Sequence, residues 1–120
     1  MKWTLDKVKP LCPQICEQVC LQIALGEFKP GEKMFSVRET AINAGVNPNT
    51  VQKAFEQLEN DGILYSVRGS GWFVCEDIIY AKETLENLIR EKTEAYFTEL
   101  NALGMSNNAI KNYVKEWENE

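Results

Sequence analysis

A mainly helical fold carrying one small β-hairpin is what this sequence of 120 residues predicts, and three observations predict it. Apolar residues recur at helical spacing over most of the chain. Two such segments, parted only by Gly45-Val46, each open on a capping residue, Ser36 and Asn47. Directly after them come two β-prone runs flanking the turn Arg68-Gly69-Ser70-Gly71. Helix, tight turn, helix and hairpin in that order make a winged helix-turn-helix, and a two-helix tail follows it. The length suits one compact domain with a small appendage. The chain is therefore expected to divide into a winged helix-turn-helix at 1–76 and a helical tail at 77–120.

The first helix is expected from Pro13, whose missing N–H suits a helix start, through Ile23, with Ile15, Val19 and Ile23 on one face. Gly26 supplies its left-handed stop, Phe28 folds back as the accompanying apolar contact, and Pro30-Gly31 makes a turn. The second helix opens on Ser36-Val37-Arg38-Glu39, a capping box in which hydroxyl and carboxylate satisfy each other's backbone donors. It is short, and Gly45 ends it. The third has Asn47 as N-cap and Pro48 at its first position. Val51, Ala54, Phe55 and Leu58 form its apolar stripe, which leaves Asn49, Thr50, Gln52 and Lys53 facing outward. It stops at Asp61-Gly62.

Strands are expected at Ile63-Leu64-Tyr65-Ser66-Val67 and Trp72-Phe73-Val74-Cys75. A long helix then runs roughly over residues 78–102 and closes at Gly104, and a last one starts at Ser106 and buries Ile110, Tyr113, Val114 and Trp117. Two antiparallel helices cannot cover so many large residues on each other. The surplus, centred on Leu85, Leu88, Ile89, Tyr96, Leu100, Ile110, Tyr113 and Trp117, implies a second copy and a two-fold homodimer.

Composition is that of an ordinary globular protein, 44% hydrophobic. No apolar run reaches the roughly 18 residues of a membrane span, and the start Met1-Lys2-Trp3-Thr4 lacks a secretory pattern. A cytoplasmic protein without membrane partners is expected, with Cys12, Cys16, Cys20 and Cys75 as free thiols. The formal charge of −5 runs against nucleic-acid binding, but it is uneven. Residues 1–76 hold nine acids and eight bases, whereas residues 77–120 hold nine acids and five bases. Acid far from a binding face is largely screened.

In a helix-turn-helix the start of the second helix enters the major groove. Asn49 and Gln52 suit adenine edges, Thr50 a phosphate or thymine methyl, and Lys53 guanine or phosphate. Arg38 early on the preceding helix suits the backbone or a guanine, and Arg68 at the wing tip suits the minor groove or a flanking phosphate. A double-stranded DNA operator is the partner this constellation fits.

Residues 13–75 resemble the GntR family of bacterial regulators. Phe28-Lys29-Pro30-Gly31-Glu32-Lys33, Ser36-Val37-Arg38-Glu39, Val46-Asn47-Pro48-Asn49-Thr50-Val51, Leu58-Glu59-Asn60-Asp61-Gly62 and Arg68-Gly69-Ser70-Gly71-Trp72-Phe73-Val74 stand in the family's order and spacing. The short tail is similar to that of the YtrA subfamily, which dimerises through it and often regulates adjacent transporter operons. The resemblance implies a repressor of that kind, and marks Arg38, Asn47, Asn49, Thr50, Gln52 and Gly69 as DNA-contacting, with Lys53 and Arg68 beside them. Departures are Phe35 where many relatives have Pro, Thr40 for a common Leu, and Cys12 for a frequent Tyr. Pro48 and Gln52 replace the Arg of other branches, so their operators do not transfer.

Other readings stand beside this one. The acidic balance favours a winged helix serving as a protein-interaction module. Cys12, Cys16 and Cys20, at i, i+4, i+8, suit a thiolate metal site or redox sensor, or else serve as small buried hydrophobes. Tyr96, Phe97, Tyr113 and Trp117 line a pocket for a small-molecule effector, or simply core and dimer seam. No nucleophile sits beside a recognisable base and no phosphate-binding Gly motif follows a strand, so no enzyme and no cofactor is expected.

Overall fold

The computed structural model describes residues 2–117 and contains five helices and one hairpin among them: α1 (Leu11–Ala24), α2 (Val37–Ala44), α3 (Pro48–Asn60), β1 (Leu64–Val67), β2 (Gly71–Val74), α4 (Ile79–Ala102) and α5 (Asn107–Trp117). The expected order of elements holds throughout.

Helix α1 begins earlier than Pro13 indicates. Pro10 stands before the first helical residue and Pro13 is the third, still within the first turn, where a missing N–H costs nothing. The Gly26 stop forms as expected, with Glu27 N–H donating to the Gln22 carbonyl at 2.8 Å. Phe28 is buried, and its ring meets that of Phe35 edge-on with centroids 5.8 Å apart.

The capping box of α2 is complete. Glu39 N–H donates to Ser36 Oγ, and Ser36 N–H donates to Glu39 Oε1, both at 3.0 Å. Gly45 takes φ 70°, a left-handed value that side chains resist, and this reverses the chain into Asn47 within two residues. Asn47 Oδ1 then accepts the Asn49 N–H at 2.8 Å, and Pro48 occupies the first position of α3.

The hairpin pairs Leu64 with Val74, Tyr65 with Phe73, Ser66 with Trp72 and Val67 with Gly71. The other edge of β2 is also occupied. Gly31 and Met34 donate to the Val74 and Trp72 carbonyls, Val74 donates to Glu32, and Lys33 bridges Phe73. What the sequence offers only as the turn Pro30-Gly31 thus leads into a short third strand-like segment.

These elements enclose one core. Ile15, Val19 and Ile23 of α1, Val51, Ala54, Phe55 and Leu58 of α3, and Leu64 and Val74 of the hairpin are all buried. Ile78 packs on this core and Ala81 lies within it, so the first compact unit extends to Leu85 and the second begins at Glu86. The expected division at 76/77 falls instead within α4, because that helix's first turns supply core residues.

In the second unit Gly104 stops α4, with Met105 N–H donating to the Leu100 carbonyl at 3.1 Å. Ser106 caps α5 by accepting the Ala109 N–H at 3.1 Å. Ile110 is wholly buried, whereas Tyr113, Val114 and Trp117, which the sequence pattern also assigns to a buried face, are exposed within this single chain.

Thr40 is the polar exception in the core. It is 1% exposed, and its hydroxyl has no hydrogen-bond partner among the described residues. An unsatisfied buried hydroxyl costs about 1–3 kcal/mol, while Val has nearly the same shape and nothing to satisfy. Thr40→Val should therefore stabilise the protein by roughly 1 kcal/mol and raise Tm by several degrees. A lower or unchanged Tm in a calorimetric scan would show that Thr40 Oγ1 is satisfied in solution.

Candidate nucleic-acid interface

The burial of α3 decides what it presents. Val51, Ala54, Phe55 and Leu58 are all 0% exposed. With that stripe fixed inward, Asn47, Asn49, Gln52 and Lys53 are exposed, and Thr50 is half-buried rather than fully outward. Arg38 is exposed on α2, and Arg68 and Gly69 are exposed at the hairpin tip.

The structure brings some of these residues together. Arg38 and Asn47 line a single shallow depression of about 440 Å³ with Ala41, Ile42, Gly45, Val46 and Pro48, set over the turn between α2 and α3. Arg68 and Gly69 are not part of it. At the tip, Ser70 N–H closes a turn onto the Val67 carbonyl at 2.9 Å, and Gly69 takes φ 79°. That turn leaves the backbone of the tip open, as a close approach to phosphate requires.

Four neighbours went unrecognised in the sequence. Glu56 Oε1 accepts from Gln52 Nε2 at 3.0 Å, an i, i+4 pair that helical spacing makes readable. Glu59 Oε2 accepts both the Ser66 N–H at 3.0 Å and the Ser66 hydroxyl at 2.8 Å, which ties β1 to α3. The Trp72 ring packs edge-on against Phe55 with centroids 5.7 Å apart, a second tie between wing and helix. Lys7 Nζ donates to the Gly45 carbonyl at 2.9 Å, across a separation no local pattern reveals.

Electrostatics at this face begin with Glu39. The Ser36 backbone N–H, and next its hydroxyl, hold the Glu39 carboxyl below its ordinary value. The cap therefore contributes fully above the ordinary carboxylate titration and loses strength as pH falls through the lowered value.

The cysteines lie away from this chemistry. Burial, with Cys12 and Cys20 nearby, pushes the Cys16 thiol up to about 12, and its Sγ donates to the Ala54 carbonyl at 3.4 Å. Burial likewise pushes Cys20 up to about 11. Thiols so held are poor nucleophiles and poor metal ligands. Among the described residues no group of three or more Cys, Asp or Glu is arranged to hold a metal ion. In the second unit a depression of about 510 Å³ is lined by Thr93, Glu94, Phe97, Thr98, Asn101 and Asn107. Of the aromatics expected there, Phe97 alone reaches it.

Comparison with known proteins settles the class. Residues 12–74 match the model of the bacterial regulatory proteins of the gntR family. The chain belongs to the GntR family. It is 34% identical over 111 residues to the transcriptional repressor YtrA of Bacillus subtilis, covering 89% of this chain and 83% of YtrA. A GntR family regulator from Listeria monocytogenes superposes with a TM-score of 0.82 at 34% identity, covering 93% of this chain and 98% of that one. The DNA-binding domain of AraR, solved in complex with operator ORE1, matches 62% of this chain and 94% of its own at 31% identity, with a TM-score of 0.54. GntR proteins are DNA-binding transcription regulators and not enzymes. No helix among the described residues is long and apolar enough to cross a membrane.

The raised thiols make a checkable pattern. At pH 8, Cys16 and Cys20 should resist iodoacetamide in the native protein and react once urea unfolds it, as mass spectrometry would read. The unfolded chain releases these protons near the ordinary value of 9.0 while the fold holds them to about 11 and 12. Stability should therefore fall as pH rises above 9, and less so in Cys16→Ala/Cys20→Ala. Rapid native alkylation, or a flat profile in the parent protein, would contradict the burial.

Proposed function

We propose that this GntR regulator is a homodimeric, sequence-specific repressor of a nearby operon, a transporter operon being the first candidate, and that α3 reads its operator. The observation that carries the reading is the sidedness of α3: four apolar residues wholly buried, and Asn49, Gln52 and Lys53 presented together on the outside. In this reading Asn49 and Gln52 take base edges, and Thr50 and Lys53 a phosphate or base. Asn47, Arg38, Arg68 and Gly69 set the register on the backbone and groove. Repression follows the likeness to YtrA, which is itself a repressor, and the operon follows from the resemblance of the short tail to that subfamily.

The homodimer rests on what the tail leaves uncovered. Trp117 is 65% exposed, Tyr113 58% and Ile89 57%, with Tyr96 exposed as well. Leu85, Leu88 and Leu100 are half-buried, and Ile110 is fully covered in the single chain, so it supports the face from beneath. Large apolar residues left in water at this density favour association. A dimer also places two recognition helices on one site, which offsets the low positive charge of each. A small-molecule effector, the remaining partner in this reading, has the depression beside Phe97 as its seat.

Asn49→Ala should weaken binding to the chain's own upstream DNA by about 1–3 kcal/mol and leave unrelated duplex unaffected, measured by fluorescence anisotropy. Equal losses on both would remove Asn49 from base reading. Sedimentation at micromolar concentration should show a dimer, converted towards monomer by Trp117→Ala with a parallel loss of operator affinity. A monomeric parent protein would defeat the dimer.

A further inference from the structure

Residues 2–10 form no regular element, yet they are fixed to α1 by a specific device. Trp3 and Leu5 pack against the core as alternate residues of an extended chain. Thr4 and Asp6, the residues between and after them, offer their backbone groups to one edge. Gln18 Oε1 accepts the Thr4 N–H at 3.0 Å while its Nε2 donates to the Thr4 carbonyl. Gln14 repeats this one helical turn away, accepting the Asp6 N–H at 2.8 Å and donating to the Asp6 carbonyl at 2.9 Å. The spacings agree: four residues of helix rise about 6 Å, and two residues of extended chain span about 6.7 Å. Gln14 Nε2 also reaches the Pro10 carbonyl at 2.9 Å, so the two carboxamides hold the segment at both ends.

The next residue is Lys7. Its ammonium donates to the Gly45 carbonyl at 2.9 Å, at the C-terminal end of α2, where the helix dipole presents partial negative charge. Gly45 lines the depression that also holds Arg38, Asn47 and Pro48. An ammonium has three donors, and Gly45 takes one. The acid beside it is engaged elsewhere: Asp6 Oδ1 accepts the Val8 N–H at 3.0 Å.

We propose that Lys7 is a phosphate-contacting residue, held by the glutamine-fastened N-terminal strap at the turn between α2 and α3, where its ammonium bridges the Gly45 carbonyl and one phosphate of a DNA duplex. The inference rests on the DNA-binding reading above and adds to it a cation from outside the helix-turn-helix. It also gives the strap a purpose, since a lysine on a free chain end would lose conformational entropy on reaching the phosphate. The contact positions the protein and carries no base information.

The test compares full-length parent protein, Lys7→Gln, Lys7→Arg and Lys9→Gln, each titrated against upstream DNA and an unrelated duplex of equal length across 50–200 mM salt. One phosphate contact contributes about 0.9 to the log–log salt slope. Lys7→Gln should lower affinity for both duplexes by a similar factor and flatten the slope by about that amount. The parent should then lose roughly threefold more affinity than this variant over the salt range. Lys7→Arg should keep the parent's slope, and Lys9→Gln should leave it unchanged. An unchanged slope in Lys7→Gln would overturn the proposal, as would an affinity loss that merely follows a lowered Tm, or an equal effect of Lys9→Gln. A flat salt response in the parent protein is a different result, and defeats the DNA-binding reading itself.

Discussion

Val51, Ala54, Phe55 and Leu58 are wholly withdrawn from water, and the packing of this stripe against α1, α2 and β1 is the interaction on which the remaining structure depends. Each of its larger side chains gains about 1.5–3 kcal/mol from burial. Turning α3 by one residue, about 100°, so that Gln52 takes the place of Val51, would bring Gln52, Glu56 and Glu59 to the core and Leu58 to solvent. That penalty fixes the direction of the polar face without any contact dedicated to the task. The hairpin hangs from the same helix, through Glu59 to Ser66 and through Phe55 to Trp72, so helix and wing are placed by one piece of packing.

The features legible in the sequence are those whose chemistry is local. The Ser36-Glu39 box, the Asn47 cap before Pro48, the stop at Gly45 and the Ser106 cap all involve residues within a few positions of one another, and all are found as read. The start of α1 lies two residues before Pro13 because proline is acceptable both just before a helix, where Pro10 stands, and within its first turn, where Pro13 stands, and local chemistry does not choose between them. Features that depend on distant partners were not legible. The pairing of residues 31–34 with β2 requires knowing where β2 lies, and the grip of Gln14 and Gln18 on the strap requires knowing that the chain doubles back along α1. Ile78 and Ala81 carry no mark in the sequence that assigns them to the core of the first compact unit, which reaches to Leu85.

Among the candidate DNA-contacting residues, amino-acid type and helical phase sufficed to find the exposed set, since exposure on α3 is the complement of its apolar stripe. Phase was not sufficient for Thr50, which lies near the stripe's border and is half-covered. Nor does it show which side chains are already engaged. The departures from the family pattern are informative in the same way. Phe35 finds an aromatic partner in Phe28, whereas Thr40 keeps its hydroxyl in an apolar setting that offers it no partner.

The bond from Gln52 to Glu56 carries a consequence for selectivity. In the unbound protein one of the two Gln52 amide hydrogens already has a carboxylate acceptor at 3.0 Å, so a base edge meets a side chain whose orientation is already held. It must offer geometry good enough to draw the amide away, and the carboxylate it leaves behind must be rehydrated beside the polyanion. A base pair that fits poorly leaves the amide where it was. On the reading proposed above, in which Gln52 takes a base edge, the helix carries an internal rival for that contact, which makes indifferent DNA less attractive without adding a single contact to the correct site.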